Sequence, residues 1–235
     1  MAVVGVVGRE PAPDFECRDE FGNADANLHF LRHAVGLQPG SRILEVGSGR
    51  GSLLHTLRKE GFDARGVEVN ESLIADSRRL YGELPVQAVK GPLLPFPDAA
   101  FDTVLSFDVF EHIRDSDAHL REVRRVLTPG GRYLFQTPNR WTNTIFETFR
   151  WRSFTSWRPD HCALHSYRQL RGRLERHGFT VRFHDVPVVT EFFVRKLRHY
   201  IGAPAPLLLR LFNPDRLPMP LRTNFYVEAT KSDAR

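Results

Sequence analysis

The nine residues Ile43-Leu44-Glu45-Val46-Gly47-Ser48-Gly49-Arg50-Gly51 constrain this chain more than any other stretch. A short apolar run, suited to a buried strand, passes directly into a loop with glycine at every second position. Gly47, Gly49 and Gly51 lack a Cβ, so the chain can turn sharply and its backbone N–H groups can approach a small nucleoside ligand. The spacing is not the dinucleotide fingerprint G-x-G-x-x-G, because the third glycine would fall at position 52, which is Ser52. A strand, turn and helix without a ligand is the bland alternative, and the sequence downstream weighs against it.

A chain of 235 residues suits one sizeable α/β domain, alone or with a small cap. Its 41% hydrophobic and 26% charged content is that of a globular domain, and no apolar run approaches membrane-spanning length. The start, Met1 to Gly8, is apolar but has no basic beginning or cleavage region, so the expectation is a cytoplasmic protein. Cys17 and Cys162 are too few for a disulfide scaffold and lack metal-ligand spacing. A net charge of +5 could mark an anionic partner, nucleic acid or a lipid surface. The arginines, however, run along the whole chain, and lysine occurs only at Lys59, Lys90, Lys196 and Lys231. Such dispersion reads as a solvated surface.

Ahead of the loop, Leu28, Leu31 and Val35 recur at helical spacing and Gly36 follows as a stop, so a helical cover is predicted over about 20–36, lying over the ligand. Strands are predicted at Arg42 to Val46, Ala64 to Val69, Val86 to Val89, Thr103 to Phe107 and Arg132 to Gln136. Helices fall between them from Ser52 to Glu60, Glu71 to about Leu80 and Ser116 to Leu127. This alternation implies a parallel sheet with right-handed crossovers.

After Pro138 the alternation breaks. The stretch Arg140 to Arg158 interleaves arginines with Trp141, Phe146, Phe149, Trp151, Phe154 and Trp157. Trp141, Ile145 and Phe149 lie four apart, one face of a helix that packs over the sheet edge or lines an apolar pocket; stacking of bases is the other use of such a pattern. Ser166 and Gln169 form a capping-box pattern before a helix ending at Gly178. Strands follow at Thr180 to Val186 and Asn224 to Thr230, with the long connection Pro187 to Thr223 between them. The segments 140–165 and 187–223 are therefore read as insertions that form a lid. In the second, Phe193, Leu207 and Phe212 alternate with Arg195, Lys196 and Arg198, so docking on an anionic membrane stands beside the lid or dimer reading.

Glu68 ends the second strand, where a carboxylate can accept two hydrogen bonds from a ribose diol beside the glycine loop; an exposed acid at a helix start is the alternative. Three further segments carry more information. They are Leu94-Pro95-Phe96-Pro97-Asp98 leading to Phe101-Asp102 and Val104-Leu105-Ser106-Phe107-Asp108-Val109-Phe110-Glu111-His112, then Arg125-Val126-Leu127-Thr128-Pro129-Gly130-Gly131, then Thr137-Pro138-Asn139-Arg140. With the glycine loop, and in this order, they make the chain resemble the class I S-adenosylmethionine (SAM)-dependent methyltransferases, nearest in pattern to the small-molecule enzymes that include the ubiquinone-biosynthesis O-methyltransferases.

The resemblance implies a single domain over 1–235, α/β and Rossmann-like. Its seven-stranded sheet has the last strand antiparallel, helices on both faces and the lid segments inserted. It implies SAM across the carboxyl ends of the first strands. Glu45, Gly47, Ser48, Gly49 and Gly51 then hold the methionine end and Glu68 the ribose, with Val69, Phe107 and Asp108 also among the cofactor-binding residues. Relatives commonly place an acid where Lys90 stands, and a lysine cannot accept a hydrogen bond from the adenine amino group. Adenine is then left to the backbone around Gly91 and Pro92.

Asp108, Glu111 and His112 stand at i, i+3 and i+4 and would share one helical face beside the methyl group. They could bind a divalent cation, which the ubiquinone-type relatives suggest, but an Asp-x-x-Glu cap accounts for both acids and is favoured over the metal. His112, His161 and His165 are the candidate bases. The function expected is methyl transfer to a small-molecule acceptor, an oxygen on an aromatic, polyketide-like or sugar compound. The alternatives are an RNA or DNA methyltransferase, for which the usual Asn/Asp-Pro-Pro-aromatic sequence is absent, and a non-catalytic binding subunit. The oligomeric state is not legible.

Overall fold

Arg42–Val46 forms β1 in a computed structural model that describes residues 23–159 and 161–232. Ile43 and Leu44, on opposite faces of the strand, are both fully buried, as a strand covered by helices on two sides requires. Its parallel neighbours are β2 (Asp63–Glu68) and β4 (Phe101–Phe107). The other strands are β3 (Val86–Ala88), β5 (Leu127–Pro138), β6 (Phe179–His184) and β7 (Asn224–Lys231), in the order β3-β2-β1-β4-β5-β7-β6. β7 runs antiparallel to both β5 and β6, which gives the predicted seven-stranded sheet with its last strand reversed. Because the chain winds outward from β1 to β3 and then returns to β4, a crevice opens at the carboxyl ends of β1 and β4.

One face of the sheet, carrying Leu44, Val104 and Phe135, packs on α4 (Ser116–Val126) and α6 (Tyr167–Arg176) through Leu120, Val123, Leu170 and Leu174. The other, carrying Ile43, Leu105, Leu134 and Tyr226, packs on α1 (Ala24–His29) and α2 (Ser52–Lys59). The third crossover helix is α3 (Glu71–Tyr81), capped by Asn70, whose side chain accepts from the Ser72 amide. The Ser166/Gln169 capping box starts α6 as predicted.

Three expectations need correction. The cover helix passes from α1 into a π-helical turn, Phe30–Ala34, so its buried side is Ala26, Phe30 and Leu31 rather than Leu28, Leu31 and Val35. β5 begins at Leu127, not Arg132, because Leu127 already pairs with Phe101 and the next four residues bulge before Arg132 meets Thr103. The stripe Trp141, Ile145 and Phe149 lies on α5 (Arg140–Trp151) as its spacing requires, but it faces solvent instead of the sheet or a pocket. Met1 to Gly8, Cys17 and the first residues of the predicted cover lie outside the described residues. No helix among the described residues is long and apolar enough to cross a membrane.

The long connection contains α7 (Glu191–Ile201) and α8 (Ala205–Leu211) and is closed at its base. Asp215 accepts from the amides of Val188 and Val189, while Arg222 reaches Asp185 at 2.7 Å. Asn139, fully buried, caps α5 and also donates to the carbonyls of Pro220 and Arg222. The two lid segments are thereby joined at one residue.

The Leu94 to Asp98 motif has a structural role. Arg125 on α4 forks onto both oxygens of Glu122 and spends its remaining donors on the carbonyls of Leu94 and Phe96 and on Asp98. All five guanidinium N–H groups are used, which fixes the loop that leads into β4. Arg125→Met is expected to lower the unfolding free energy by about 2–3 kcal/mol in urea titrations. Arg125→Lys should recover less than half of that, since an ammonium cannot reproduce the fork; full recovery by lysine would show that charge alone matters.

Candidate active site

The glycine loop leaves β1 with Gly47, Gly49 and Gly51 all at positive φ, a conformation that a side chain strains. At Gly47 there is also no room, because a Cβ would stand 2.4 Å from Val109 Cγ2 in the turn after β4. At Gly51 it would stand 2.6 Å from Ser77 Oγ on α3. The loop is thus wedged between the ends of β4 and α3, and its backbone lines the crevice. The Gly47 and Ser48 amides both donate to the Val67 carbonyl, while Gly51 donates to Ser48.

Glu68 turns toward this loop. Its Oε2 accepts from the Gly49 amide at 2.8 Å, and its Oε1 from the amides of Val69 and Asn70. The carboxylate is buried, so the exposed acid at a helix start is not what the structure shows. Glu45, one strand over, is buried as well, with the Leu54 amide at the start of α2 as a partner for one oxygen and none for Oε2. Burial, and then the charge of Glu68, pushes its carboxyl up to about 8. Ser48 Oγ is a second buried polar atom without a partner. An anionic carboxylate, an orphaned carboxyl oxygen and a hydroxyl around a glycine cradle fit a ligand that carries a sugar diol and an ammonium group, as SAM does.

Farther along the rim, Val69 and Leu93 are exposed apolar side chains beyond the ends of β2 and β3, on which a flat base can pack. Lys90, Gly91 and Pro92 are exposed there, and Gly91 has φ +84°. Phe107, at the end of β4, is half-buried against Phe30 of the cover at 6.4 Å. Asn27 of α1 accepts from Tyr226 Oη, and Asn23 donates to Asp108 at 3.0 Å, so the cover closes over the carboxyl end of β4.

The turn after β4 differs from expectation. Phe110–His112 is a single 3₁₀ turn rather than an α-helix, and Val109 precedes it without a side-chain cap. Asp108 is left-handed at φ +53°, its amide donating to Gln136 Oε1. Glu111 is buried and accepts from Thr137 Oγ1, and burial followed by the charge of Asp108 raises its carboxyl far above the usual range. His112 is exposed. The predicted Asp-x-x-Glu cap is therefore not formed, and the three side chains diverge instead of sharing a face. Among the described residues no group of three acidic, histidine or cysteine side chains is placed to hold a metal ion.

The predicted bases separate into two groups. His165 is buried against Phe110, and desolvation, with Arg173 nearby, lowers it to about 4. Its main-chain carbonyl accepts from the Arg140 amide, which makes it part of the lid's foundation. His112 and His161 meet, with ring centroids 5.1 Å apart and tilted by 63°. The Ala163 amide bonds the Glu111 carbonyl and fastens this segment to the 3₁₀ turn. Asn143 on α5 lies 2.9 Å from His161 Nδ1. Sequence reasoning missed Asn143 and Gln136. Gln136 stands among polar residues closing an apolar strand, a usable signal, whereas nothing but its place off the aromatic stripe marked Asn143.

Glu45 gives a test with a definite sign. Its folded carboxyl keeps a proton that the unfolded chain releases near 4.5, so the ligand-free protein loses stability as pH rises from there toward 8. Glu45→Gln should match wild type at pH 5 and exceed it by about 1–3 kcal/mol at pH 8.5 in denaturant titrations. Equal stability at both pH values would mean that this carboxyl is not desolvated.

The methyltransferase-domain family model matches residues 18–183. A probable SAM-dependent methyltransferase of Mycolicibacterium smegmatis is 32% identical over 68% of this chain and 62% of its own length. A ubiquinone biosynthesis O-methyltransferase of Paramagnetospirillum magneticum is 37% identical over 48% of this chain and 47% of its own. The chain thus spans about half to three fifths of these curated relatives. A putative methyltransferase solved with the Haloferax volcanii Trm112 activator superposes with a TM-score of 0.66 at 15% identity, covering 95% of this chain and all of that one, which shows a common fold. By family match and by fold, the chain belongs to the class I methyltransferases, whose cofactor is SAM.

Proposed function

We propose that this chain transfers the methyl group of SAM to a hydroxyl oxygen of a small aromatic, polyketide-like or sugar acceptor. The observation that carries the oxygen assignment is the His112–His161 pair beyond the end of β4, with Asn143 against His161. SAM, when bound, supplies an activated methyl with a neutral thioether as leaving group. What the protein must add is alignment and, for a hydroxyl that is not acidic, a group to take its proton.

In this reading Glu68 accepts the ribose hydroxyls with the lone pairs its three amide bonds leave over. Glu45 and Ser48 receive the ammonium end. Val69, Leu93 and the backbone at Gly91 and Pro92 pack the adenine in place of a hydrogen-bonding acid. The cover, held by Asn23 on Asp108, excludes water. Asn143 sets the ring of His161, and the histidine pair takes the acceptor's proton.

Extracts incubated with the protein and deuteromethyl-labelled SAM should yield a small molecule that gains the label on oxygen, identified by mass spectrometry. With that compound, His112→Ala and His161→Ala are each expected to slow transfer by about a hundredfold while SAM still binds. Label on carbon, or unchanged rates in both variants, would overturn the oxygen assignment.

A further inference from the structure

The lid carries a surface that the methyl-transfer reading does not use. On α5, Trp141, Ile145 and Phe149 are 57%, 72% and 77% exposed. On and just after α8, Leu207, Leu211 and Phe212 are 60%, 65% and 77% exposed. The two sets belong to one structure, since Phe146 of α5 meets Tyr200 of α7 edge-on at 5.8 Å and α7 packs on α8. At the start of α5, Asn139 bonds the Pro220 carbonyl and brings in the half-exposed Leu221. Large side chains so exposed on neighbouring helices exceed the scatter of single apolar residues normal for a surface.

The charge of the lid is equally one-sided. Residues 140–165 and 187–223 hold ten Lys and Arg against four Asp and Glu, and the rest of the chain holds 23 against 24, so the positive charge of the whole originates in the lid. Two of these four acids are neutralised in place. Glu147 is buried beneath Arg150 and Trp151, and Asp215 is held by two amides and Arg222. Arginines 152, 158, 198, 210 and 216 are exposed, and Arg140 and Arg158 lie over the rings of Trp141 and Trp157. The even spread of basic residues concealed a shortage of acids in these two segments.

We infer that this face of the lid docks on an anionic lipid bilayer, with the α5 and α8 side chains entering the interface and the arginines meeting lipid phosphates. Apolar helix faces with aromatic residues and a basic border have the composition that interfacial binding needs, and no helix has to cross the membrane. A second copy of the chain is disfavoured because an isologous contact would set one arginine border against another. Nucleic acid is disfavoured because the aliphatic Ile145, Leu207 and Leu211 offer nothing to a solvated phosphate backbone. This inference does not depend on the acceptor's identity.

The full chain should sediment with phosphatidylcholine vesicles that contain phosphatidylglycerol and not with pure phosphatidylcholine vesicles. Arg198→Glu and Arg210→Glu should each weaken binding by about fivefold or more. The pair Phe149→Asp and Leu211→Asp should remove it while SAM binding, read by calorimetry, stays as in wild type. The inference is overturned by equal binding to neutral vesicles, by binding that these variants leave unchanged, or by no binding at all. It is also overturned if sedimentation velocity shows a dimer that Phe149→Asp dissociates, or if single-stranded RNA is retained and vesicles are not.

Discussion

Glu68 accepts hydrogen bonds from the amides of Gly49, Val69 and Asn70, and through them one buried carboxylate fixes the glycine loop against the end of β2. A buried carboxylate is stable there only because N–H groups surround it. That arrangement bears on the neighbour's chemistry. Glu45, one strand away, is desolvated by burial and then meets the charge of Glu68, and together these push its carboxyl up to about 8. The glycine positions follow from the same packing, since Val109 and Ser77 leave no space for a Cβ between loop, β4 and α3.

Around this rigid centre the chain divides its labour. The sheet and its crossover helices are near charge balance, while the inserted segments are poor in acids and carry most of the exposed large apolar side chains. α5 belongs to both regions. Its inner side presents Asn143 to His161, and its outer side carries Trp141, Ile145 and Phe149. In the proposed reading, an acceptor side built on the same helix as an interfacial surface would couple where the protein sits to what can reach its site.

Much of this was legible before any coordinates. The strand and glycine loop from Ile43 to Gly51, the alternation through Gln136 and the acid at Glu68 follow from local periodicity and turn chemistry, which are properties of neighbouring residues. What failed depends on contacts distant in sequence. The Asp108, Glu111 and His112 spacing suggested a helical face, yet Thr137 and Gln136 on β5 draw Glu111 inward and fix Asp108 in a left-handed conformation. His161 and His165 looked equivalent, and only packing against Phe110 separates a buried histidine from one that reaches His112. The stripe on α5 was seen correctly as one face, but periodicity does not say which way a face points.

Calorimetric titration of SAM into the protein at neutral pH, run in two buffers of different ionisation enthalpy, addresses the buried carboxyl pair most directly. The account predicts saturable binding whose heat differs between the buffers, because Glu45 gives up its proton as the ammonium group arrives. Absence of binding at millimolar SAM, or a binding heat identical in both buffers, would contradict it.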